Sequence, residues 1–173
     1  AELPFWQTTV GTQPIRTLFD AADHCESEGA DDTHVVSLTA DETRALLQDV
    51  PTAYHTQIND VLLTALGKAL GSWTGGERFR IDLGGHGRED LFPDLDLSRT
   101  LGWFTTLFPV LLEVRHGSDD GAALKSVKEQ LRAIPDRGLS YGVLRYLDPS
   151  PDVAERLATH PPAGLLFNYL GQF

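Results

Sequence analysis

RFRIDLGGHGRED, residues 78–90, followed after a proline-broken loop by RTLGWFTTLFPVLLEV, residues 99–114, is the stretch on which the fold turns. Phe79, Ile81 and Leu83 alternate with Arg78, Arg80 and Asp82, the pattern of a strand with one face buried. The returning segment, a strand over about 105–114, sets Phe108, Val110, Leu112 and Val114 on one face, and Pro109 marks an edge strand or a bulge. Between the two lies a turn in which Gly84, Gly85 and Gly87 carry no Cβ. Such backbone can take positive φ or approach another group closely, and it pushes out the one imidazole, His86. A site at a strand end is built in this way.

Upstream, Ile58, Val61, Leu62, Ala65, Ala69, Leu70 and Trp73 recur at helical spacing from a Thr56 cap until Gly75-Gly76, leaving Asn59 and Asp60 on the polar side. Before that, HVVSLT at 34–39 reads as a strand. Thr39 with Glu42 forms a capping box for a helix whose Leu46, Leu47 and Val50 face inward as far as Pro51. Residues 1–33 are poorly patterned: Leu3-Pro4-Phe5-Trp6 offers an aromatic anchor, and the acidic run from Asp20 to Asp32 reads as a solvated loop leading into the domain. Downstream, Ser118 caps a helix with Leu124, Val127 and Leu131 on its stripe. A short helix follows at 140–147, and another runs from Ser150-Pro151 to about His160. AGLLFNYL, residues 163–170, has the length of a buried strand. The order predicts an α/β fold, a two-layer sandwich with helices covering a mixed sheet.

Composition bounds the function. A chain of 173 residues with 41% hydrophobic content fits one compact unit. A formal net charge of -11 argues against nucleic acid and against anionic membranes, both of which are bound through Lys and Arg. No apolar run has the length of a membrane span. The single Cys25 forms no internal disulfide, in keeping with a reducing cytoplasmic setting. The chain has no methionine and so reads as a piece of something longer. The glycines lack Walker spacing, the six histidines lack metal-ligand spacing, and no GxSxG elbow is present. His86, Arg88 and Glu89 form an acid–base constellation, although His86 reads equally well as a turn residue. Asn168 and Tyr169 are polar tips in an apolar strand, open to inter-strand hydrogen bonding or to a site. Trp103 reads as core.

Five motifs together resemble the epimerization domains of nonribosomal peptide synthetases, in the condensation-domain superfamily. NDVLLTALGKAL matches D-x-L-L-x-A-x-G at Asp60, Leu62, Leu63, Ala65 and Gly67. Gly85 to Glu89 is similar to E-G-H-G-R-E, and Arg99 to Val110 to R-T-V-G-W-F-T-x-x-Y-P-V. Pro135, Gly138, Tyr141 and Gly142 are similar to P-x-x-G-x-G-Y-G, and the last seven residues, FNYLGQF, resemble the last of the family's motifs without change.

The resemblance implies a chloramphenicol-acetyltransferase-like lobe, the C-terminal one of two that enclose a tunnel. The first lobe's H-H-x-x-x-D-G is absent here, and the family continues beyond residue 173, so the lobe is expected to be truncated. It implies epimerization at the α-carbon of an aminoacyl or peptidyl thioester. The substrate rides on the phosphopantetheine arm of a peptidyl carrier protein, and the domain binds no cofactor of its own. The partners it implies are that carrier protein and the N-terminal lobe. Carried over residue by residue, the catalytic positions are Asn168, Tyr169 and Gly84, where the family has Glu. Those around the substrate are Gly85, His86, Arg88, Glu89, Trp103 and Tyr141. The turn and the FNYLG strand should converge, Asn168 or Tyr169 facing the same cavity as Gly84 and Gly85, with His86 buried as a turn organiser. Two other readings stay open: a condensation-type acyltransferase forming amide bonds, which shares the fold but not motifs of this kind, and a carrier-binding lobe without chemistry, to which the missing side chain at Gly84 gives weight.

Overall fold

A computed structural model describes residues 2–11, 33–89, 94, 96–97, 99–158 and 163–171. The acidic loop through Asp32 and the helix end expected at His160 lie outside these residues. The two strands read from alternation are present as β1, Arg78–Gly85, and β2, Thr106–Glu113, paired antiparallel with Phe79 opposite Leu112, Ile81 opposite Val110 and Leu83 opposite Phe108. These six side chains are buried together and form the centre of the core. A short third strand, β3, Leu166–Asn168, runs parallel to β1 on its other side, giving the order β2-β1-β3 and hence the mixed sheet of the expected α/β fold.

Among the described residues β2 is an edge strand, one of the two readings of Pro109. Its margin is closed near one end by a side chain. The Gln130 amide accepts from the Glu113 N–H and donates to the Glu113 carbonyl, both at 2.8 Å, as a neighbouring strand would. Gln130 lies on α5, Asp120–Arg132, whose cap is Asp119 rather than Ser118.

Helix α4, Ile58–Thr74, lies against the Phe79 face of the sheet. A Cβ on Gly67 would stand 2.5 Å from Val114 Cγ2, so only glycine lets the helix backbone come so near. That approach rotates the helix away from the expected stripe: Leu63, Gly67, Leu70 and Gly71 are buried, while Trp73 is exposed. Asp60 is buried too. It is the reciprocal half of a capping box with Gln57, which replaces Thr56 as the cap, and it accepts from the Gln57 N–H at 2.7 Å.

From the other face of β1, the buried Arg80 guanidinium reaches out to donate to the Val10 carbonyl at 3.0 Å and so holds α1, Leu3–Gly11, a helix in what reads as loop. The aromatic anchor is real. Trp6 is fully buried, its ring meets Phe108 edge-on and Tyr141 at a tilt, and its indole N–H donates to Ser140 Oγ at 3.0 Å. Ser140 and Tyr141 belong to α6, Leu139–Gly142, which follows a tight turn at Pro135–Gly138 and leads through Val143–Leu147 to α7, Pro151–Ala158.

Two local expectations change. HVVSLT does not join a sheet among the described residues: Val35 and Val36 are exposed, because β-branched side chains favour a strand only where there is a surface to pack on. The helix expected to stop at Pro51 runs on. After the capped α2, Ala40–Arg44, the chain widens into a π-type turn at Ala45–Asp49. Pro51 then falls in the first turn of α3, Val50–Tyr54, where its missing N–H matters least, and the run ends at a left-handed His55.

Candidate functional site

β1 delivers Gly84 and Gly85 to the end of the sheet, and the strands on either side complete the floor. Gly84 pairs with Leu107 of β2 and Asn168 of β3, and Gly85 pairs with Thr106. The Asn168 side chain lies over Gly84, with its Oδ1 3.0 Å from where a Cβ would be. The two segments expected to converge therefore do so, and the glycine makes room for the amide. Gly84 is not among the positive-φ glycines, so its value here is space rather than backbone freedom. Tyr169 follows directly, half-buried.

The turn beyond Gly85 is organised differently from the expectation. Gly87 takes the inner position with φ 68°, where a side chain would overlap the Phe104 carbonyl, so His86 is turned outward with 68% of its side chain exposed. It still organises the turn. Nδ1 accepts the Arg88 N–H at 3.0 Å, and Nε2 lies 3.3 Å from Glu89 Oε1. The expectation of a buried His86 is thus overturned, while its hydrogen-bonded role in the turn stands.

Arg88 and Glu89 each fasten a different loop. The Arg88 guanidinium donates to the Leu97 carbonyl at 2.6 Å and the Gly102 carbonyl at 3.3 Å, and sits 4.3 Å above the Phe104 ring. Glu89 has a side chain only 9% exposed and receives Arg137 Nη1 at 2.7 Å. Arg137 and Asp136 both hold left-handed backbone, φ 50° and 44°, in the turn that opens α6. The loop fastened by Arg88 carries Trp103, which is 91% exposed rather than core.

A cavity of about 740 Å³ lies beside this arrangement, walled by Val10, Arg80, Asp82, Pro109, Tyr141 and Leu157 among others. Of the site residues expected from sequence, Tyr141 alone lines it; Gly84 and Asn168 meet at the strand end, and neither they nor Gly85 and Tyr169 face this cavity as expected. Burial raises the Tyr141 phenol pKa, with Tyr146 adding to the rise. Asp82 is not among the expected residues, although alternation already places it on the same face as Gly84. Burial raises its carboxyl pKa, while the Ala163 N–H it accepts and the Arg80 charge pull the other way. Chemically, the strand end offers an amide (Asn168) and a phenol (Tyr169), with no carboxylate at Gly84, and Glu89 is occupied by Arg137 and His86.

Residues 1–161 match the family described as Condensation domain. A linear gramicidin synthase protein of Brevibacillus parabrevis is 50% identical over 156 residues, 90% of this chain and 3% of that protein. Surfactin synthase subunit 1 of Bacillus subtilis (strain 168) is 49% identical over 137 residues, 79% of this chain and 4% of that protein. Among solved structures, the epimerization domain from the third module of tyrocidine synthetase B superposes with a TM-score of 0.74 at 35% identity, covering 99% of this chain and 38% of that one. The chain thus spans a few per cent of these curated relatives and well under half of the solved domain. No described helix is long and apolar enough to cross a bilayer. On the length matched and the motifs shared, the chain belongs to the condensation-domain family of nonribosomal peptide synthetases.

Proposed function

We propose that the chain is the C-terminal lobe of an epimerization domain. In this reading it interconverts L and D configuration at the α-carbon of an aminoacyl or peptidyl thioester presented on a carrier protein's phosphopantetheine arm. The observation that carries the reading is the seating of Asn168 of FNYLG directly over Gly84 of the GGHGRE turn, at the end of a strand shared by both. Removing the α-proton needs a base on one face and an acid on the other, with a donor for the oxygen that gains charge as the enolate forms. The Asn168 amide is such a donor. Tyr169 supplies a phenol, whose O–H is a proton donor. The other face belongs to the N-terminal lobe.

Gly84 favours a second reading, a lobe that binds the carrier without chemistry, because the position taken by Glu in the family has no side chain to move a proton. Both readings are tested on the intact two-lobed domain, loaded with a carrier bearing an L-aminoacyl thioester. Appearance of the D-isomer above a no-protein control supports the epimerase. Carrier binding with no D-isomer at any time supports the silent lobe, and amide formation with a second carrier-bound amine would move the domain to the acyltransferase class.

A further inference from the structure

Asn168 owes its place to a strand with little hold of its own. β3 is three residues long and, among the described residues, pairs only with β1. A strand so short contributes few ladder bonds, and slipping by one residue would turn Asn168 away from Gly84. The segment that leads into it is gripped by one residue of β1. The Asp82 N–H donates to the Leu165 carbonyl at 2.9 Å, and the Asp82 carboxylate accepts the N–H of Ala163. Asp82 stands opposite Leu166 and shares its face of β1 with Gly84, so both bonds form next to the pair they align. Its carboxylate is half-buried beside the cavity, and burial disfavours its charge. A carboxylate kept under that penalty, where an apolar side chain would fill the same wall, is accounted for by the bond it makes.

We propose that Asp82 is a positioning residue: its carboxylate holds Ala163 so that β3 keeps the register that lays Asn168 over Gly84. The consequence for catalysis rests on the epimerization reading, whereas the hold on β3 does not.

Two readouts on the intact two-lobed domain separate these. Amide hydrogen exchange is followed across residues 163–168 and, as an internal control, across β1 and β2, in the parent, Asp82→Asn, Asp82→Leu and Ala163→Pro. Asp82→Leu removes the acceptor, and Ala163→Pro deletes the donor while leaving β1 untouched, so either one tests the bond if the other fails to fold. Both should speed exchange at 166–168 by about tenfold or more with the β1–β2 ladder unchanged. Asp82→Asn, which keeps an acceptor oxygen, should remain near the parent. In the activity readout, Asp82→Leu should lower kcat by about 10²-fold, the loss typical of a misplaced site, with KM for the carrier unchanged, and Asp82→Asn should recover most of it. Parental exchange at 166–168 in a folded Asp82→Leu or Ala163→Pro domain would overturn the proposal, as would an Asp82→Asn variant as loose as Asp82→Leu. Loosened exchange in a domain whose parent forms no D-isomer would support the hold on β3 and count against the epimerization reading alone.

Discussion

Gly84 is where a single side chain most changes what this site can do. Glycine sits here in extended strand, not at positive φ, so a larger residue meets no backbone strain. Its Cβ would come within 3.0 Å of Asn168 Oδ1, which asks the exposed amide to give by a few tenths of an ångström. Gly84→Glu should therefore fold. In the intact domain it should raise the rate of D-isomer formation by about the 10²–10⁴-fold that general acid–base catalysis contributes, read as the D/L ratio against time. A folded variant no faster than an active parent would assign the second proton-transfer role to another group, with Tyr169 examined first.

Asp82 carries a pH signature of its own. Its carboxyl pKa in the folded protein is raised, chiefly by burial, above that of the unfolded chain, so the folded state holds the proton to higher pH. Stability from this group is therefore greatest when it is protonated and is lost as pH rises through the raised folded value. Asp82→Asn stays neutral throughout. Its melting temperature should exceed the parent's at pH 7, and the difference should vanish below the ordinary aspartate range.

At the level of elements, the turn Pro135–Gly138 fixes how α6 meets the sheet. Gly138 has φ 91°, and a Cβ there would stand 2.2 Å from the edge of the Phe108 ring. Gly138→Ala combines left-handed strain with overpacking and should destabilise the protein by roughly 2–4 kcal/mol, visible as a lower urea midpoint with an unchanged slope. This scale also shows what the sequence makes legible. Strict alternation identifies β1 and β2, and Pro109 their edge, because a strand's period survives in the residues themselves. The face of α4 is not legible: Gly67 and Gly71 bring that helix to the sheet, and glycines do not register in a hydrophobic stripe. Nor is α1, whose nine residues bury Trp6, Thr9 and Val10 but show little periodicity. In the site, the Gly84–Asn168 apposition follows from resemblance rather than from pattern. The outward turn of His86 follows from neither, since it depends on Gly87 lying against a carbonyl from a distant loop.

For the molecule as a whole, the position of the reacting groups decides activity. In the epimerization reading one face of the α-carbon is served from this lobe, and the solved epimerization domain it superposes on is more than twice as long. The 173-residue chain incubated alone with a carrier-bound L-aminoacyl thioester should leave the D/L ratio at its starting value. Racemisation above the buffer control would mean that a complete acid–base pair lies within these residues.

Gln130 bears on a different property, the way copies of the molecule meet one another. Its amide occupies backbone groups at one margin of the sheet, while β3 leaves the opposite margin without a strand neighbour among the described residues. A molecule with one sticky margin can join a twin and then stops, because the pair has used up both free ends. A molecule with two such margins has no stopping point and grows head to tail into fibres. Gln130→Ala should thus free the Glu113 backbone groups for pairing with another copy, read as concentration-dependent light scattering above that of the parent.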